Sequence, residues 1–215
     1  MFITFEGIDG TGKSTQIGFL EEFLNGNKIP YLSIREPGGT DFSEKVREIL
    51  LSTKSEISSI AELMLFEAAR ADLCEKVIQP ALDKGIVVIS DRFYDSTTAY
   101  QGYGRGLDIN TIQKCNQFAT QNVIPDFTFY FRLPLEESIN RRNYREFDRM
   151  ELAGMEFFGK VINGFEELAK QEPERIIIID AHKSREEIFE EILSKIKSGI
   201  NEFGCYSCEC RNPGN

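Results

Sequence analysis

Residues Gly7-Ile8-Asp9-Gly10-Thr11-Gly12-Lys13-Ser14 fit the pattern G-x-x-x-x-G-K-[ST] in full. Each position has a use in holding polyphosphate. Glycines let the backbone curl until its N–H groups face the phosphate oxygens. Lys13 can reach the β- and γ-phosphates of a nucleoside triphosphate, and the Ser14 hydroxyl can ligate Mg²⁺. Thr15 follows on a helix whose N-terminus adds partial positive charge. A glycine-rich turn can match by chance, but here an apolar run over 2–6 precedes the loop and a helical pattern over 13–25 follows it. That is the strand–loop–helix order phosphate binding requires. Gly7 to Thr15 are therefore the expected triphosphate-binding residues.

Asp91 ends the apolar run Ile86–Ile89. An acid there supports the magnesium shell of many phosphate-loop enzymes, through water. The alternative is a solvated strand-end carboxylate. Arg92 favours the first reading, because Asp-Arg at the carboxyl edge of a sheet faces the ligand crevice.

Strand and helix patterns alternate along the whole chain. Strands are expected at 2–6, 30–34, 86–89, 127–131 and 176–179, and helices at 13–25, 42–51, 59–83, 134–142, 151–171 and 184–200. This alternation predicts an α/β fold, a doubly wound five-stranded parallel sheet with helices on both faces. One domain over 1–203 is expected, then a flexible tail over 204–215. The tail holds Cys205, Cys208 and Cys210 as C-x-x-C-x-C; with no fourth ligand nearby, no metal is assigned to it. Net charge is −10, a surface that disfavours a nucleic-acid polymer. No apolar run approaches the roughly 20 residues needed to span a bilayer, and the first residues lack the basic region of a signal peptide. The expectation is a cytoplasmic protein without a membrane partner.

A phosphate loop specifies a nucleotide, not a reaction. The Asn-Lys-x-Asp of GTPases is absent, since Asn27-Lys28 continues as Ile29-Pro30, and the chain is short for a motor ATPase. Small-molecule kinases remain. Further segments narrow the choice: Arg35-Glu36-Pro37-Gly38-Gly39-Thr40, Leu65-Phe66-Glu67-Ala68-Ala69-Arg70, Asp91 through Gly102, Asp148-Arg149-Met150-Glu151, and Gly164 through Ala169. In this order and spacing the chain resembles bacterial thymidylate kinase over about residues 1–200.

The resemblance implies ATP and dTMP as substrates, Mg²⁺ as cofactor and a homodimer. It assigns thymine stacking to Phe66 and a base-carbonyl contact to Arg70. Arg92 and Arg35 become candidates for the acceptor phosphate, and forked guanidinium groups suit phosphate oxygens. Thr97 and Gln101 line the thymine edge, and Tyr100 lies against the deoxyribose. Asp9 matches a carboxylate near the sugar 3′-hydroxyl and the metal shell. On the residues alone, Phe66 also reads as core, Arg70 as a surface cap and Asp9 as a turn former. Phe165 stands where the family often has tyrosine, so it is expected as an apolar wall. Position 10 is glycine, so the loop carries no arginine for the transferring phosphate. A short lid near 141–151 holds Arg141, Arg142, Arg145 and Arg149. Arg145 and Arg149 are the candidates for the catalytic cation. Two other readings stay open, another deoxynucleotide or deoxynucleoside kinase and a non-catalytic ATP-binding regulator.

Overall fold

The computed structural model describes residues 1–54, 56–141 and 149–209, the side chains of 151 and 201–209 excepted. The strands are β1 (Phe2–Glu6), β2 (Tyr31–Arg35), β3 (Val87–Asp91), β4 (Phe127–Arg132) and β5 (Ile176–Asp180). They form one five-stranded sheet in the order β2-β3-β1-β4-β5, and every pairing is parallel. The α-helices are α1 (Lys13–Gly26), α2 (Asp41–Leu51), α3 (Ser59–Leu73), α4 (Gln79–Asp83), α5 (Tyr94–Thr97), α6 (Ile109–Thr120), α7 (Leu135–Arg141), α8 (Met155–Gln171) and α9 (Arg185–Glu209).

Side chains alternate across the sheet with the period of two that a strand imposes. Ile3, Phe5, Val87, Ile89, Phe129, Phe131 and Ile179 face α1 and α9, which supply Ile17, Leu20, Leu24, Ile188, Ile192 and Ile196. Phe2 and Val88 face the other side with Leu73 and Phe93, as do Tyr130 and Ile176 with Phe165 and Leu168 of α8. Burying one such side chain stabilises by roughly 1.5–3 kcal/mol. Coverage on both faces explains why these strands read as continuous apolar runs.

Helix details depart from expectation. The helix expected over 59–83 is divided, with a π-helical turn at Cys74–Ile78 between α3 and α4. Pro80 gives the physical reason, since it has no N–H to return to the preceding turn. The helical stretch Tyr94–Gly104, α5 followed by a π turn over Thr98–Gly104, is not among the expected helices. The backbone of α9 continues to Glu209, past the expected end at 200 and through Cys205 and Cys208. Cys210 lies outside the described residues. Among the described residues no helix is long and apolar enough to cross a membrane.

Candidate functional site

Strand register assembles the site at the carboxyl edge of the sheet. Phe5 and Arg35 both pair with Asp91, and Glu6 pairs with Tyr130. The phosphate loop therefore starts beside the end of β3. Gly7 has φ 130°, and a Cβ there would lie 2.8 Å from the Phe131 carbonyl oxygen. Only glycine fits both the backbone angle and the close approach. Gly12, at φ 97°, caps α1. From α7, the Ser138 hydroxyl donates to the Asp9 carbonyl at 2.6 Å.

Lys13 is buried and curls back over its own loop. Its Nζ donates to the Gly7 and Ile8 carbonyls at 3.0 and 3.1 Å and lies 4.0 Å from Asp9. Burial, then the nearby Arg92 guanidinium, holds the ammonium pKa below its ordinary value. Ser14 and Asp91 border one open cleft. Asp91 Oδ1 is buried and accepts no hydrogen bond. A hard oxygen pair of this kind, one hydroxyl and one unsatisfied carboxylate, suits Mg²⁺ with its retained waters.

Arg92 joins the phosphate loop to a second cleft. Its guanidinium donates to the Gly7 carbonyl at 2.8 Å, to Asp9 Oδ1 at 2.8 Å and to Ser96 Oγ at 3.2 Å. It also lies over the Tyr100 ring, 5.4 Å from the centroid. Arg92 has φ 73°, a left-handed conformation uncommon outside glycine. Three contacts over-determine it. The Ser90 hydroxyl donates to the Arg92 carbonyl at 2.6 Å, the Arg92 N–H donates to Phe5, and the Phe93 N–H donates to Glu6 Oε1 at 2.7 Å.

The second cleft is lined by Asp9, Arg35, Phe66, Arg70, Arg92, Thr97, Tyr100 and Gln101. These are the eight positions expected for the acceptor. Tyr100 and Gln101 enter it from the π turn, and Phe165 packs beneath as a buried wall, stacked on Tyr130 at 5.0 Å. Arg35 is half-exposed and bonded to Glu44 at 3.0 Å and to the Pro37 carbonyl at 3.2 Å.

One expectation needs correction. Arg70 is no surface cap: it is 2% exposed. All five of its N–H donors are engaged, two by Glu36 at 2.9 and 2.7 Å, the others by Glu67, Asn116 and Thr97 at 2.9, 3.3 and 2.9 Å. A base carbonyl would have to share one of them. Burial lowers the Arg70 pKa, but Glu36 and Glu67 outweigh it and the guanidinium stays charged. Arg149, one of the two candidates for the catalytic cation, donates to the Leu50 carbonyl at 2.8 Å and pairs with Glu62 at 2.6 Å. Arg142, Arg145 and Asp148 lie outside the described residues.

Sequence reasoning missed several lining residues. Glu36, Arg47, Ser96 and Met150 also border the second cleft. Glu36 and Ser96 belong to segments singled out above, and only folding shows that they face inward. Glu62 and Glu6, both buried, gave no local signal because their partners lie far along the chain.

Comparison with known proteins agrees with this geometry. A family model described as "Thymidylate kinase" matches residues 5–192. The thymidylate kinase of Prosthecochloris aestuarii is 47% identical over 208 residues, covering 92% of this chain and 93% of that protein. That of Kosmotoga olearia is 43% identical over 205 residues, covering 95% and 99%. The crystal structure of thymidylate kinase from Ehrlichia chaffeensis superposes with TM-score 0.72 at 37% identity, covering 90% of this chain and 97% of that one. With the phosphate loop, the second cleft and the Arg92 contacts that join them, this chain belongs to the thymidylate kinase family.

Proposed function

We propose that the enzyme transfers the γ-phosphoryl group of ATP to the phosphate of dTMP, giving ADP and dTDP. The observation that carries this reading is Arg92, which touches the phosphate loop with one edge and borders the acceptor cleft with the rest. A phosphate oxygen of the acceptor is already nucleophilic at neutral pH, so the protein's task is positioning and charge neutralisation. Lys13 leaves its loop carbonyls for the β- and γ-phosphates. Arg92 and Arg35 hold the acceptor phosphate, Tyr100 lies against the sugar, and Asp9 lies near the 3′-hydroxyl. Phe66 stacks on thymine, and Thr97 and Gln101 line its polar edge.

Ser14, and Asp91 through water, would hold Mg²⁺, with Asp9 close to its shell. The ion neutralises charge on the transferring group when bound. The remaining cation is assigned to the 141–151 lid, to Arg145 first, because Arg149 is engaged by Glu62 in this structure. The 204–215 segment is assigned no part in the reaction. The nucleotide pool it draws on suits a cytoplasmic location.

A coupled ADP-release assay over dTMP, dUMP, dCMP and thymidine tests the reading. The expected outcome is highest kcat/KM for dTMP. Preference for thymidine would make the protein a nucleoside kinase, and no acceptor-dependent ADP release would leave it a nucleotide-binding regulator.

A further inference from the structure

Glu62, on α3, is fully buried and collects donors from three residues on two distant segments. Gln101 Nε2 donates to its Oε1 at 2.7 Å. Arg105 Nε donates to Oε1 and its terminal nitrogen to Oε2, both at 3.1 Å. Arg149 pairs with Oε2 at 2.6 Å. Burial pushes the Glu62 pKa up, but the hydrogen bonds from Arg105 and Gln101 outweigh it, so the carboxyl lies below its ordinary value and remains ionised.

An ionised carboxylate only accepts, so the Gln101 amide must present its NH₂ to Glu62. Its carbonyl then points away. Among the described residues no donor meets Gln101 Oε1, and Gln101 borders the acceptor cleft. Beside it, Thr97 Oγ1 accepts from Arg70 at 2.9 Å and so keeps its hydroxyl proton to donate. The polar wall thus offers one acceptor and one donor. A 2,4-dioxopyrimidine carries an N3–H donor flanked by carbonyl acceptors and matches it. A 4-amino-2-oxopyrimidine carries a bare N3, so with the Gln101 carbonyl set against N3 the N3–H that this carbonyl would accept is missing.

We infer that Glu62 is a positioning residue that fixes the orientation of the Gln101 amide and so makes the cleft select dTMP over dCMP. This rests on the reading that the cleft receives the acceptor base. The same carboxylate also holds Arg149.

The test is the inhibition constant of dCMP divided by KM for dTMP, in wild type, Glu62→Gln and Gln101→Met. A glutamine at 62 can donate or accept, which frees the Gln101 amide to turn. The ratio is expected to fall roughly tenfold or more in Glu62→Gln, with KM for ATP little changed. A purely structural Glu62 would weaken both pyrimidines together and leave the ratio intact, overturning the inference. Gln101→Met separates the two layers. If it keeps the wild-type ratio, Gln101 does not read the base and the cleft assignment itself fails. If it loses the ratio while Glu62→Gln keeps it, only the role of Glu62 fails. Should Glu62→Gln not fold, side-chain amide NMR of the wild type decides, with Gln101→Met identifying the signal. The Gln101 NH₂ protons are expected to exchange slowly with water before and after dTMP is added. Rapid exchange in either state overturns the inference.

Discussion

Glu6 shows what one buried acid does for the site. It lies at the end of β1, fully buried, and accepts from the Phe93 and Ser96 N–H groups at 2.7 and 3.3 Å and from the Ser96 hydroxyl at 2.6 Å. Ser96 in turn receives Arg92, so the carboxyl braces the turn that holds Arg92 at positive φ. Burial first, then the charge of Asp95, raises its pKa from 4.5 to about 7; Arg92, Ser96 and Phe93 pull the other way. The folded protein thus holds this proton more tightly than the unfolded chain does. That contribution is complete below about pH 4.5 and is lost as pH rises through about 7. Glu6→Gln cannot titrate. The melting temperature of the ligand-free wild type, relative to Glu6→Gln, is therefore expected to fall between pH 5 and 8. A difference that stays constant over that range would contradict the assignment. Such a residue is hard to read from sequence. Glu6 follows Phe2 and Thr4 on one strand face, but its partners are 87 and 90 positions away.

At the scale of elements, legibility followed contact range. The phosphate loop is contiguous, so its composition declares its chemistry. The central strands were plain because burial on both faces leaves apolar runs such as Ile86–Ile89, while the edge strand β2 is only partly buried. Arg70 pairs with Glu67, one helical turn away, but its closer partner, Glu36, is 34 positions away, and neither pair was read from the sequence. The π turn that delivers Tyr100 and Gln101 has no comparable sequence mark, since backbone widening leaves residue periodicity ambiguous. Helices also bear on assembly. Phe42 and Ile49 of α2, Ile60 and Met64 of α3, and Phe118 of α6 are 46, 47, 64, 46 and 87% exposed. Phe42 and Ile49 are seven apart and Ile60 and Met64 four apart, so each pair lies on one helix face. An apolar surface across adjacent helices fits the homodimer that the family resemblance implies. Light scattering is expected to give twice the chain mass of 24.5 kDa for wild type and about half that value for Met64→Glu. A wild-type mass of one chain would refute the homodimer.

Across the whole molecule, the sheet order brings the phosphate loop and the cleft lined by Arg35 through Gln101 to one edge and lets one residue touch both. The donor side is the loop with Lys13, Ser14 and Asp91; the acceptor side runs from Arg35 to Gln101; Arg92 is bonded to Gly7 and Asp9 between them. An acidic chain of net charge −10 gathers Lys13, Arg35, Arg47, Arg70 and Arg92 around this edge, where the substrates bring negative charge. The central claim is direct phosphoryl transfer from a nucleotide on the phosphate loop to one in the cleft beside Arg92. It is tested by ³¹P NMR of ATP, dTMP and Mg²⁺ with the purified protein, and with Lys13→Ala as control. The expected result is growth of dTDP and ADP signals in equal amounts. Lys13→Ala should slow this by roughly 10²–10³ or more, the scale of one lost preorganised donor. ADP with inorganic phosphate and unchanged dTMP, or Lys13→Ala turning over at the wild-type rate while folded, would contradict the account.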